Sequence, residues 1–315
     1  MSIRFEIAPP REEVLELIGS CAGATFFHSP AWLEILGESF GRFRCGWLTS
    51  RSGAELRGLM PVAMISRGPL YQCQALPFGT YGHPVASDPQ RALSLLDAFY
   101  RIGGRPRCVA AAANLLEPPG ETSPPAPWRV RTEECRVISL GSSFEEYRSG
   151  LMSRKRRQLC NRCEREGVTA RVLEPSDLGE FYRAYLSGST RWGGVHPYPR
   201  PFFEALLRRR DEGVLVWGAF HGGALIAAHV DFYFGRTAQA WQAGVTARSH
   251  EYDAGAFLVM HAVREAIDRG TSVFNLGSSG GDEGMIFFKE SMGGEERRYP
   301  VVERMRGWWR RLRRS

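Results

Sequence analysis

From residue 11 to residue 276 the chain runs through one order of elements twice. The first pass reads as helices at 11–18 and 30–36, then strands at 45–49 and 59–65 around a turn at 51–53. It continues with a strand over 71–78, a helix over 89–102 and a strand at 108–112. The second pass gives helices at 177–186 and 201–207, then strands at 214–220 and 225–234 around a turn at 221–223. A strand at 238–245, a helix over 255–269 and a strand at 272–276 complete it. Apolar spacing of three and four marks the helices. Alternation or short apolar runs mark the strands, and Gly and Pro mark the borders. A repeat on this scale predicts two related units of the α/β class, each an α+β arrangement on a mixed sheet. The 315 residues are enough for two cores. The expected borders are 1–140 and 141–302, followed by a basic tail at 303–315.

Two segments lie outside the repeat. The proline-rich stretch 117–127 can be neither helix nor sheet interior, so it reads as a loop. After a strand-like run at 128–140, Ser143-Phe-Glu-Glu146 reads as a capping box opening one long helix. That helix carries Arg148, Arg154, Lys155, Arg156, Arg157, Arg162 and Arg165.

The net charge is +7, and 39 of the 41 basic residues are arginine. One of the two lysines, Lys155, sits in the arginine run. The other, Lys289, follows the stretch Gly277-Ser-Ser-Gly-Gly281. A lysine kept in so arginine-rich a chain suggests a site needing a compact, rotatable ammonium; the alternative is a solvated surface lysine. The basic helix and the tail, with Trp308 and Trp309 among its arginines, suit phosphates of RNA or an anionic membrane face. A solvated face and a loose solubilising tail are the plainer reading.

No run approaches the roughly 18 apolar residues of a membrane span, and the N-terminus lacks the order of a signal peptide. A cytoplasmic protein is expected, with contact at the inner membrane face an option. The seven cysteines are odd in number and scattered. Cys160 and Cys163 have no second pair nearby, so reduced thiols and no metal are expected.

Four stretches carry a family resemblance. Phe26-Phe-His-Ser-Pro-Ala-Trp32, Leu76-Pro-Phe-Gly-Thr-Tyr-Gly82, the basic run Arg154–Gly167, and Asn275-Leu-Gly277 followed by Phe287-Phe-Lys289 resemble the Fem family. That family uses the GNAT acyltransferase fold twice, and the resemblance covers about residues 24 to 302. It implies two tandem GNAT-like domains and an acyltransferase moving an aminoacyl group from aminoacyl-tRNA to an amine, on a cell-envelope precursor or small peptide. No cofactor is implied, aminoacyl-tRNA being a co-substrate. It also implies that Lys289 stands near substrate phosphates and the reaction centre.

Candidate site residues follow. Lys289 would neutralise a phosphate or oxyanion. His229 and Asp231 lie two apart on one strand and face one side, cleft or solvent. The segment from Arg191 and Trp192 to His196 and Tyr198 reads as a substrate-binding loop or an interhelix connector. Trp241, Asn275, Gly277 and Phe288 join the substrate-binding set. Arg154, Lys155, Arg156, Arg157 and Arg248 form a donor- or phosphate-binding set. GNAT proteins that use acetyl-CoA carry Arg-x-x-Gly-x-Gly/Ala where this chain has Arg248-Ser-His-Glu-Tyr-Asp-Ala-Gly-Ala256. The glycine spacing is not kept, and Glu251 and Asp253 would repel phosphate. An aminoacyl-tRNA donor is therefore expected. The alternatives are an acyl-CoA-dependent N-acyltransferase in exopolysaccharide or lipid-linked metabolism, and a non-catalytic RNA- or membrane-binding protein.

Overall fold

The computed structural model describes residues 2–121, 123–189 and 197–312. It divides into two compact units, Met1–Glu133 with Arg298–Ser315, and Glu134–Arg297. The chain leaves the first unit before the expected border at 140, and it re-enters that unit before 302.

The first unit contains β1 (Ser2–Glu6), α1 (Arg11–Ser20), α2 (Pro30–Ser39), β2 (Phe43–Ser52) and β3 (Glu55–Arg67). It continues with β4 (Leu70–Gln74), β5 (Val85–Ala86), α3 (Pro89–Gly104) and β6 (Cys108–Asn114). Local chemistry sets the helix starts. The Ser29 hydroxyl accepts from Trp32 N and the Asp88 carboxylate from Arg91 N, each just before a proline at the first helical position. Strands β1 to β4 are antiparallel in order, and β6 joins β4 in parallel. Leu95, Leu96 and Phe99 of α3 share a buried cluster with Met60, Val62 and Cys73 of this sheet.

The second unit takes in β7 (Arg129–Ser139) from residue 134, then α4 (Phe144–Glu146), α5 (Arg154–Arg165), β8 (Thr169–Val172), α6 (Leu178–Ser189) and α7 (Arg200–Leu207). Next come β9 (Val214–His221), β10 (Ala224–Phe234), β11 (Thr237–Val245), α8 (Ala254–Asp268), β12 (Val273–Asn275) and α9 (Glu283–Ser291). Finally β13 (Glu295–Met305) and α10 (Gly307–Leu312) lead back into the first unit. In the second unit the strand order is β8–β9–β10–β11–β12–β7. Pairing is antiparallel throughout except for the parallel β11–β12 pair.

The repeat thus extends to strand order and direction. In each unit three antiparallel steps are followed by one parallel step, and an antiparallel strand closes the sheet. That closing strand is exchanged. Residues Val301–Met305 of β13 pair with β6 in the first unit, whereas Val137–Ser139 of β7 pair with β12 in the second.

Alternation along β10 decides which residues face which helix. Tyr233 donates through its hydroxyl to Ala262 O of α8, so the odd-numbered residues from 229 to 233 face α8. Ala228 pairs with Gly244, which lies against the backbone of Tyr185, so α6 covers the other face.

Four sequence expectations are corrected here. The single long helix from 143 is broken. The Ser143 hydroxyl does accept from Glu146 N, but a wide turn follows, closed by Met152 N donating to Tyr147 O. Ser153 then caps a new helix, α5, because its hydroxyl competes for the helix-start position. The strand expected to reach Phe78 stops at Gln74, and Phe78 and Gly79 both take left-handed conformations in a turn. The strand at 272–276 shortens to Val273–Asn275. The tail is not loose from 303. Val301 and Val302 are fully buried, β13 continues to Met305, and Arg304 and Arg306 donate to the carbonyls of Gly103, Cys108 and Arg105.

Candidate active site

Two devices open the strands of the second unit between β11 and β12. β11 and β12 pair only over Thr237–Gln239 with Val273–Asn275, after which β12 ends and β11 runs on beside β10. Opposite Val230 and Asp231, β11 also carries a bulge whose extra residue is Trp241. A bulge removes one residue from the ladder and re-aims its neighbours. The edge of β11 past Gln239 is therefore released from its parallel partner. Gln239 is buried beside this opening and donates through its side-chain amide to Ala240 O at 2.6 Å.

The loop leaving β12 is built by short-range bonds. Asn275 Oδ1 accepts from Gly277 N at 2.7 Å, and Gly277 takes φ +75°, which a side chain would disfavour. Lys289 Nζ, arriving from α9, donates to Gly277 O at 2.9 Å and to Ser278 O at 2.7 Å. Asp282 caps the start of α9, and Gly293 ends it with φ +94°. Gly294 N donates to Lys289 O, and a Cβ on Gly294 would lie 2.8 Å from that oxygen. Backbone and side chain of Lys289 are thus both pinned.

Lys289 is 6% exposed, so it is not a surface lysine. Burial lowers its pKa to about 8; the Cys135 and Glu134 side chains oppose this shift and Arg136 adds to it. Arg136 is itself buried, with carboxylates of Glu134 at 3.0 Å, Glu290 at 3.2 Å and Glu296 at 3.6 Å. An ammonium has three N–H groups. Two are spent on the loop carbonyls of Gly277 and Ser278.

Asn275, Gly277 and Lys289 come together here. Gln239, Arg136 and Ser279, whose buried hydroxyl lacks a hydrogen-bond partner, belong to the same neighbourhood and were not singled out from sequence. Arg136 is one of 39 arginines, and nothing local marks it. The Gly277–Gly281 stretch did signal a special loop around Ser279.

The remaining candidates separate. His229 and Asp231 pair on β10, with Nδ1 and Oδ2 3.1 Å apart, facing α8. Tyr198 and Trp241 stack at 5.4 Å in an aromatic group with Phe202, and burial pushes the Tyr198 phenol well up. Arg191, Trp192 and His196 lie outside the described residues.

The basic set is divided too. A cavity of about 610 Å3 is lined by Lys155, Arg156, Arg162, His250, Asp253 and Phe287 among others. Arg156 is committed within it: it donates to Ser291 Oγ at 2.8 Å, pairs with Asp253 at 2.5 Å and lies over the Phe288 ring at 4.9 Å. Asp253 immediately precedes α8 and takes the left-handed φ of +50°. Arg157 donates to the carbonyls of Arg148, Ser149 and Met152, which ties down the turn before α5. Arg154 is exposed at the start of α5, and Arg248 contacts His221 Nδ1 at 2.8 Å. Cys160 and Cys163 are buried, which pushes their thiols up to about 12 and about 11, away from nucleophilic use.

Residues 152–290 match the acetyltransferase (GNAT) domain family. This segment runs from the turn before α5 through Lys289. The second unit is therefore a GNAT-type acyltransferase domain, and the chain as a whole has the Fem-like tandem GNAT fold. The crystal structure of FemX is similar with a TM-score of 0.73 and 10% identity, over 95% of this chain and 97% of FemX. The C-terminal domain of a candidate lysylphosphatidylglycerol synthetase from Agrobacterium fabrum gives 0.63 and 14%, over 95% and 92%. A tandem GNAT protein from the clavulanic acid biosynthesis pathway gives 0.54 and 12%, over 96% and 98%. At these identities the likeness is one of fold. No curated protein matches the chain.

Proposed function

We propose that this acyltransferase moves an aminoacyl group from aminoacyl-tRNA to an amine acceptor, on a cell-envelope precursor or a small peptide. The observation that carries the choice of donor is Asp253. A helix N-terminus is the natural seat for a pyrophosphate. Here the residue before α8 is an aspartate whose carboxylate already engages Arg156. A CoA pyrophosphate would have to displace that pair and face a like charge. An aminoacyl ester on a terminal ribose carries single phosphodiester charges and no pyrophosphate, so it does not call for such a seat. The fold shared with FemX and with a protein assigned to lysylphosphatidylglycerol synthesis agrees with aminoacyl transfer.

In this reading the acyl carbonyl enters the opening between β11 and β12. Backbone donors on the released edge of β11 and the remaining N–H of Lys289 stabilise the oxyanion as it forms. Lys155 and the exposed arginines of α5 supply long-range attraction for RNA phosphates. The working place is the cytoplasm or its membrane face; no helix among the described residues is long and apolar enough to cross a membrane.

The test is incubation with charged tRNA pools and, separately, with acyl-CoAs, followed by mass spectrometry of candidate amine acceptors. Transfer from tRNA, with RNA binding that weakens steeply as salt rises, is expected. A saturable rise in melting temperature with CoA, together with transfer from it, would overturn the choice of donor.

A further inference from the structure

The amine that attacks an acyl carbonyl must lose a proton, and Lys289 is spent as a cation. We infer that His229, oriented by Asp231, accepts that proton at Nε2. This inference rests on the acyl-transfer reading above.

The geometry is that of an ordered base. Asp231 is fully buried, and neither carboxylate oxygen has a well-directed hydrogen bond. His229 Nδ1 stands 3.1 Å from its Oδ2. A buried carboxylate with one partner is costly unless that partner can share its charge. Burial pushes Asp231 up and His229 pulls it back down. The pairing puts the imidazole proton on Nδ1 and leaves Nε2 with its lone pair. Nδ1 is a buried atom, whereas Nε2 makes no hydrogen bond among the described residues, and the His229 side chain keeps 13% exposure.

The position of His229 also fits. Its cross-strand neighbours are Trp217 on β9 and Ala243 on β11. Residues directly opposite across antiparallel strands share a face at about 5 Å. Ala243 is exposed and lies on the stretch of β11 released from β12. An alanine methyl is thus the side chain standing between the imidazole and the open edge. Other titratable groups face this region. Tyr233 lies on β10 itself, and α8 contributes His261, with Arg264 and Glu265 following it. His261 packs against Trp217, and burial followed by Arg264 lowers its pKa to about 4, so it stays neutral where a free imidazole titrates.

The amine lone pair forms the N–C bond, and the carbonyl π pair moves to oxygen. An N–H proton passes to His229 Nε2. On collapse the C–O ester bond to the tRNA ribose breaks, and the departing oxygen takes the proton from the imidazolium. Amide and free hydroxyl result, and His229 is regenerated.

The experiment compares wild type, His229→Ala, His229→Gln, Asp231→Asn and Lys289→Ala in one transfer assay across pH. Circular dichroism checks folding, and His229→Gln stands in if the alanine variant does not fold. A loss of about 10²- to 10⁴-fold is expected for the His229 variants, the usual worth of a positioned base. The acid limb that an imidazole base gives to the pH–rate profile should vanish in them. Added imidazole should restore part of the His229→Ala rate, and Asp231→Asn should move the limb. If both His229 variants keep the wild-type rate and acid limb while Lys289→Ala is inactive, the base assignment is wrong and the transfer reading stands. Loss of rate with the limb intact and no imidazole rescue also refutes it, by marking a structural role. No transfer by wild type overturns both.

Discussion

Lys289 shows how far a single residue type can be read. Its rarity among arginines flagged it, and the fold gives it a buried place where a compact ammonium meets two carbonyls of one tight loop and a bulkier planar guanidinium would need more room. Lys289→Ala should lower turnover about 10²- to 10³-fold, as expected for one oxyanion donor, while the fold survives. Lys289→Arg should recover little of this despite keeping the charge; near-wild-type turnover in that variant would remove the argument for a lysine here. Burial sets the sign of the pH effects. With its pKa lowered to about 8 from the usual 10.5, the ammonium is harder to hold folded than unfolded. Above about pH 8 the folded protein sheds this proton while the unfolded chain keeps it until about 10.5. The contribution of Lys289 to stability therefore rises through that window, and activity that needs the cation falls. Melting temperatures and pH–rate profiles of wild type against Lys289→Met check both directions.

At the scale of elements, the start of α8 decides which donor fits. Asp253 combines a left-handed backbone with a carboxylate held by Arg156. Asp253→Gly relaxes the backbone, removes the charge and frees Arg156 for phosphate. The variant should show a CoA-dependent rise in melting temperature that wild type lacks; equal behaviour of the two would mean that Asp253 does not exclude the pyrophosphate. The start of α5 is a second element-level case. The long helix expected from Ser143 gives way because Ser153 offers another cap, and Ser153→Ala should cost about 1 kcal/mol in denaturant unfolding.

For the molecule as a whole, the exchange of closing strands is the consequential feature. Val302 follows the second repeat in sequence yet belongs to the core of the first unit, with Leu95, Phe99 and Val62. Val302→Ala removes two buried methyl groups and should cost about 2 kcal/mol, from transfer plus cavity. Hydrogen exchange should show the loss in β6 and α3, with β9 to β11 keeping their protection. Loss confined to the second unit would contradict the exchange.

Much of the architecture was legible because apolar period and glycine–proline punctuation are local signals. The two passes, the position of α8 and the last strand of each repeat all follow from them. Sequence also marked Lys289, since a rare residue type beside a glycine loop is visible without a fold, and the family resemblance added Asn275 and Gly277. It placed His229 and Asp231 on one face through strand alternation alone, but it left open whether that face was cleft or solvent. Only tertiary structure settled what depends on partners distant in the chain. It buried Lys289 against the Gly277–Ser278 carbonyls and surrounded Arg136 with three carboxylates. It set Gln239 beside the opening and committed Arg156 and Arg157 to structural bonds. The strand exchange was hidden for the same reason: β7 and β13 each read as an ordinary strand, and which sheet edge a strand completes is decided by packing, not by its own pattern.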